Sequence, residues 1–254
     1  MTPWVLRILI ANVVVFFVQW TMPLVEDYLA FVPRFALTRP WSLVTYMFLH
    51  SRGSFGHILF NMLSLYFFGS RLEARLGGQR FLQLYFVSGL TAAVISAVFA
   101  FNSPIIGASG AVYGVMYGFA HFWPRDRIYI WGVLPIEARW LVLLSIGLAL
   151  FFIRTGGQSN VAHFAHLGGV AGGFLYLKWA QRRMEAPQRE WRKRVAPPPP
   201  VIDQKRVARI DMSRVHEVNR EELNRILDKI SASGMQSLSS SEKTFLAHFA
   251  KEES

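Results

Sequence analysis

The stretch "IGASGAVYGVMYGFAHFW" (residues 106–123) decides which solvent this chain folds in. From Ser109 to Trp123 it carries no Asp, Glu, Lys or Arg, while Gly110, Gly114 and Gly118 recur at every fourth position. Helical spacing puts those glycines on one face, a small-x-x-x-small pattern that lets helix backbones approach closely inside a bilayer. About 15 residues at roughly 1.5 Å each make about 22 Å of helix, short of the roughly 30 Å hydrocarbon core. If the charged stretch "WPRDR" (123–127) pins one end, Ser109 opens the other end below the membrane surface. The preceding "NSPIIGA" (102–108) must then run non-helically at membrane depth, where backbone is tolerated only if it is buried in protein or lines a wet cavity.

The rest of the chain agrees with this setting. Its 254 residues are 52% hydrophobic, 15% aromatic and only 17% charged, too apolar for an ordinary soluble protein of this length. Six apolar stretches, near 4–21, 54–71, 81–101, 109–123, 139–154 and 160–179, predict an all-α polytopic bundle of six transmembrane helices. The first, "WVLRILIANVVVFFVQW" (4–20), contains Arg7 and is followed by no small-residue cleavage site, so it is expected to be a retained helix. The absence of cysteine excludes disulfides, thiol catalysis and cysteine zinc sites.

Basic residues set the orientation. Arg71, Arg75 and Arg80 lie between spans two and three, Arg125, Arg127 and Arg139 between four and five, and Lys178 and a basic tail follow span six. The segment 102–108 is uncharged, so both termini are expected in the cytoplasm. Topology and attraction to the headgroups of membrane lipids account for the net charge of +11, and no nucleic acid is expected as a partner.

Three regions follow: a membrane domain over 1–180, a basic Pro-rich linker over 181–212 with the spacer "APPPP" (196–200), and a cytosolic helical hairpin over 213–254. In the last, Val215, Val218, Leu223, Ile226, Leu227 and Ile230 recur at helical spacing, with Gly234 placed to end that helix. "SSSE" (239–242) has the form of a capping box opening a helix that carries Phe245, Leu246 and Phe249. The plainer expectation is a solvated hairpin whose apolar stripes close on each other; binding a partner or self-association is the alternative.

Polar residues inside spans are costly in lipid and are functional candidates, although helix-packing hydrogen bonds are their commoner duty. His57 and Asn61 share one face of span two, Ser109 opens span four, and His163 and His166 sit three apart on span six. The inferred topology places all five in the outer half of the membrane. A serine beside a histidine in a wet cavity points to nucleophilic catalysis, the imidazole accepting the hydroxyl proton. The Ser109 amide at a helix N-terminus, with the His57 and Asn61 side chains, would hold the oxyanion. Gly107 and Gly110 remove bulk around the serine, and Tyr113, about 40° round the helix from it, would lean on the histidine. The acids Glu73, Asp126 and Glu137 fall at the cytoplasmic side and Glu26 and Asp27 in the first loop, so a Ser/His dyad is expected rather than a triad. The soluble-hydrolase elbow G-x-S-x-G fails at Ala111, and no H-E-x-x-H occurs. Three histidines without a carboxylate or thiolate make a poor metal site, so neither metal nor cofactor is expected.

Taken together, "PWSLVTYMFLH" (40–50), "HILFNM" (57–62), "LEARLG" (72–77), "GASGAVYG" (107–114) and "AHFAHLGGVAGG" (162–173) resemble the rhomboid family of intramembrane serine proteases, of the six-span bacterial type. The resemblance implies Ser109 as nucleophile, His166 as general base, and the Ser109 amide with His57 and Asn61 as the oxyanion site. By the same resemblance Tyr113 supports His166, and Glu73 and Arg75 are structural. The A-H-x-G-G context, with Gly169 about 60° and Gly173 about 20° from His166, favours that histidine over His163, which would line the cavity mouth. The implied activity is serine-type endopeptidase cleavage of other proteins' transmembrane helices, entering past Phe60 and the phenylalanines of span five. The implied location is the bacterial inner membrane, with the site open to the non-cytoplasmic side. A non-catalytic rhomboid-like protein that binds transmembrane helices is the alternative.

Overall fold

The computed structural model describes residues 1–130, 132–155, 160–195 and 215–249, together with positions 207, 210 and 212. The spacer at 196–200 and residues 156–159 of the fifth loop lie outside the described residues. The chain divides into two compact units, Met1–Glu185 and Ala186–Ser254.

In the first unit, Pro3 opens α1 (Pro3–Thr21) at a position where its missing N–H costs nothing. The next two amides, of Trp4 and Val5, donate to the buried Glu73 carboxylate at 3.1 and 2.9 Å. At the other end the Gln19 side-chain amide accepts from the His50 N–H at 2.9 Å and donates to the His50 carbonyl at 3.0 Å. Both ends of α1 are thus tied to distant sequence through polar groups paired on burial. The first loop is built rather than loose: it holds α2 (Leu24–Leu29), α3 (Ser42–Thr45) and 3-10 turns at Pro33–Phe35 and Tyr46–Phe48.

The second apolar stretch folds as α4 (Phe55–Ser64), a π-turn (Leu65–Gly69) and α5 (Ser70–Leu76). The twelve steps from Asn61 to Glu73 would turn about 120° around a pure α-helix. The π-turn absorbs one residue and cuts that to about 20°, so both polar side chains face the protein interior. They are 6% and 4% exposed, respectively.

Helix α6 (Gly78–Phe99) and α7 (Ser109–Phe122) follow, then strands β1 (Arg127–Ile130) and β2 (Leu134–Glu137), α8 (Ala138–Thr155) and α9 (Asn160–Val195). The strands pair antiparallel, Arg127 opposite Glu137 and Ile130 opposite Leu134. They correct the all-α expectation: Ile128, Tyr129 and Ile130 are strand formers, but four residues between long apolar runs give a weak periodic signal. Helix α9 also continues past Gln181, where the sequence reading begins a linker, because 181–195 is rich in Arg, Glu and Gln, which favour helix.

Helix α7 is packed between α6 and α9 with almost no side chain separating the backbones. A Cβ at Gly169 would overlap the Gly110 carbonyl, one at Gly173 would stand 2.9 Å from the Gly114 carbonyl oxygen, and one at Gly110 2.5 Å from Ala92 Cβ. The glycine repeat of the opening stretch is therefore the seam of the bundle. Helices α1, α6 and α8 are long and apolar enough to cross a membrane. Large apolar side chains such as Phe17, Val94, Leu144 and Phe151 stand exposed on them.

The second unit contains α10 (Glu217–Ser233) and α11 (Ser240–Phe249), closing on Val215, Leu223, Ile226, Leu238 and Leu246. Gly234, at φ 76°, follows α10 in the conformation that favours glycine. At the start of α11 the Glu242 N–H donates to Ser239 Oγ at 3.2 Å, while the Ser239 N–H donates to Glu242 Oε2 at 2.7 Å, a reciprocal capping box. The Ser239 amide, followed by the Lys229 ammonium at 2.9 Å, holds the Glu242 carboxyl down at about 2.

Candidate active site

A cavity of about 560 Å³ opens where the N-terminal ends of α4, α7 and α9 meet the segment 105–107. That segment runs non-helically and buried, its backbone satisfied by partners in the first loop. Ile105 and Phe31 exchange backbone bonds at 2.8 and 3.1 Å, and the Gly107 N–H donates to the Tyr46 carbonyl at 2.9 Å. The Tyr46 hydroxyl donates in turn to the Gly89 carbonyl of α6 at 2.7 Å, fixing this loop to the bundle.

Gly107 has φ 118°, a conformation side chains rarely adopt, and it faces His57. A Cβ there would stand 2.8 Å from His57 Nε2 and 3.8 Å from Ser109 Oγ. The space kept empty by this glycine is the space in which the imidazole and the hydroxyl face a common point. His57 Nδ1 accepts the Ser51 N–H at 3.3 Å, which leaves the ring proton on Nε2, directed into the cavity. Asn61 Nδ2 donates one N–H to the His57 carbonyl at 2.7 Å and retains a second. Ser109 is the first residue of α7, so its own N–H has no partner within the helix and lies at the positive end of the helix dipole.

His166 reaches the same cavity from α9. Its ring lies flat on Tyr113, centroids 4.1 Å apart and planes within 7°, so an aromatic face fixes its orientation. His57, Phe60, Asn61, Gly107, Ser109, Gly110, Tyr113 and His166 all line the cavity. His163 is not among its lining residues; its ring stacks on Phe152 of α8 at 5.2 Å and stands edge-on to His166 at 6.2 Å. Gly169 and Gly173 are also away from the cavity wall and act at the seam, holding α9 against α7. Sequence reasoning missed His50, which is fully buried with its ring edge-on to His57 at 5.0 Å. The only signal for it was a second histidine seven residues before His57.

The first unit is thus a helical bundle with membrane-length apolar helices that brings a serine at a helix N-terminus, a histidine on a neighbouring helix and two further donors into one cavity. The comparisons make the family specific. A Rhomboid domain matches residues 37–182, and a family of unknown function, DUF6576, matches 213–252. RHOMBOID-like protein 4 of Arabidopsis thaliana is 36% identical over 136 residues, covering 53% of this chain and 32% of its own length. The mitochondrial RHOMBOID-like protein 12 of the same plant is 32% identical over 201 residues, covering 70% and 58%. Rhomboid protease GluP of Bacillus subtilis (strain 168) is 32% identical over 135 residues, covering 53% and 25%. The chain thus spans less than two-thirds of the length of each of these relatives. It belongs to the rhomboid family and is an integral membrane protein.

Proposed function

We propose that this protein is an intramembrane serine endopeptidase in which Ser109 and His166 form the catalytic dyad. The single observation that carries the reading is the cavity itself, which gathers Ser109, His166, His57 and Asn61 from three helices around the void at Gly107. Ser109 Oγ attacks the substrate carbonyl while His166 takes the hydroxyl proton. The Ser109 N–H, His57 Nε2–H and the second Asn61 Nδ2–H stabilise the oxyanion, and His166 returns the proton to the leaving amine. Water then hydrolyses the acyl-enzyme by the same relay. Stacking on Tyr113 holds the His166 ring in one orientation, one of the roles an acid has in a triad.

The substrate in this reading is another protein's transmembrane segment, locally unwound, because a fully hydrogen-bonded helix hides its carbonyls. Six spans are assigned: α1, α4 with α5, α6, α7, α8 and the first part of α9, with both termini cytoplasmic and the cavity facing outward. The first-loop end carries the site, and the opposite end carries Arg71, Arg75, Arg125 and Arg127, in keeping with the positive-inside tendency. A bacterial inner membrane is the proposed setting, and the second unit is a cytosolic appendage.

The test is cleavage of a transmembrane substrate with small residues near its outer end, co-reconstituted with the protein in vesicles. The account expects wild type to cut it and Ser109→Ala to leave it intact. Helix binding by wild type without any cleavage would instead support the non-catalytic reading.

A further inference from the structure

A second and larger cavity, about 920 Å³, lies toward the opposite end of the bundle, between α4 with its π-turn, α7, the β-hairpin and α8. Phe67, Phe119, Ile128 and Leu141 give it an apolar wall, and Arg71 and Arg127 stand at its charged end. The two arginines differ. Arg71 is engaged, paired with Asp126 and lying 4.3 Å over the Trp123 ring. Arg127 is exposed and, among the described residues, has no ion pair. An apolar slot ending in a free guanidinium is built for an amphiphile with an acidic head.

We propose that this cavity binds one phospholipid with an anionic headgroup, its acyl chain along the apolar wall and its phosphate on Arg127. Guanidinium and phosphate match in charge and in hydrogen-bonding geometry. A substrate helix, which the family resemblance routes past Phe60 at the outer end of this gap, is the competing occupant, and charge disfavours it at the arginine end. Transmembrane helices carry their Lys and Arg at the cytoplasmic flank, which would meet Arg71 and Arg127 as like charges.

The site bears on activity because Phe60, Ser64 and Met116 line both cavities and form the wall between them. Helix α8, on the far side of the lipid slot, is the least buried of the three candidate spans at 17%. A lipid seated there braces α4 against α8 and holds the shared wall. This consequence rests on the peptidase reading above; the binding itself does not.

The experiment is native mass spectrometry of the delipidated full chain in detergent, titrated with phosphatidylglycerol or phosphatidylcholine of equal chain length. One phosphatidylglycerol is expected to be retained at a concentration about tenfold lower than phosphatidylcholine, the preference one charge-assisted contact supplies. Arg127→Gln should abolish the preference, Leu141→Trp should reduce binding of both lipids by filling the slot, and substitution of Arg52, which pairs with Glu26 in the first loop at 3.2 Å, by Gln should change neither. sn-Glycerol 3-phosphate should fail to displace the lipid. Ser109→Ala should bind phosphatidylglycerol as wild type does, which separates this site from the peptidase reading. Equal retention of the two lipids, wild-type binding by both Arg127→Gln and Leu141→Trp, or full displacement by glycerol phosphate or by a transmembrane peptide would each overturn the proposal.

Discussion

Two helix pairs in this chain are held together by opposite means. Helices α7 and α9 meet through glycine, carbonyl against Cα, with no charge at the seam. Helices α10 and α11 meet through leucine and isoleucine and are clamped by Glu242, which accepts from Arg225 at 3.0 Å and Lys229 at 2.9 Å as well as from Ser239. In water, burying apolar side chains drives association and leaves ion pairs as modest additions at the rim. In lipid that driving force is absent, and close backbone contact takes its place. The seam is thus both scaffold and positioning device, since it sets where His166 stands relative to Ser109. The Glu242 clamp lies wholly within the second unit.

Substitutions along the seam should therefore reach the chemistry, and substitutions in the tail should not. The largest effect is expected for His166→Ala, which should lower kcat on the order of 10⁴-fold or more in the vesicle cleavage assay. His163→Ala, whose ring packs on Phe152, should stay within a few-fold of wild type; the reverse pattern would move the base to His163. Asn61→Ala should cost roughly 10² to 10³ in kcat with KM little changed, since in the proposed mechanism its N–H acts on the oxyanion. Gly169→Val should cost about 10²-fold through displacement of α9, since misplacement of about 1 Å carries that magnitude. It should also lower the detergent melting temperature.

The tail should respond on a separate scale. Deletion after Arg183 should leave peptidase activity in detergent within about twofold, whereas loss of it would make the tail part of the working enzyme. Glu242 gives the tail a pH signature. Its carboxyl is held at about 2, below the ordinary value of 4.5, so its stabilising contribution is complete above 4.5 and is lost as pH falls through about 2. Amide protection in α11, corrected for intrinsic exchange, should hold from pH 7 to about 5 and fall below that. Glu242→Gln should lower protection at pH 7 and flatten this dependence while peptidase activity is unchanged.

How much of this was legible in the sequence depended on the kind of signal. Gly110, Gly114, Gly169 and Gly173 were readable because close packing demands glycine at fixed spacing, and the capping box because Ser239 and Glu242 are neighbours on the chain. The cavity members came from three separate stretches, His57 with Asn61, Ser109, and His166; hydropathy gave each stretch the same expected depth, and only the four-residue spacing of His57 and Asn61 is a local link. What resisted had no local pattern. The π-turn at Leu65–Gly69 shifts the register of a helix whose composition looks uninterrupted. The paired strands Arg127–Ile130 and Leu134–Glu137 are too short for their alternation to stand out. His50 and Tyr46 gain their places through contacts from other elements, and His163 loses its place at the cavity because Phe152 holds its ring.

The most direct measurement of the central claim is covalent labelling of the folded protein by a serine-directed, mechanism-based probe, with the adduct located by peptide mass spectrometry. The account predicts one adduct on the peptide containing Ser109, absent in Ser109→Ala and strongly reduced in His166→Ala. Equal labelling of wild type and Ser109→Ala, or an adduct on any other serine, would contradict it.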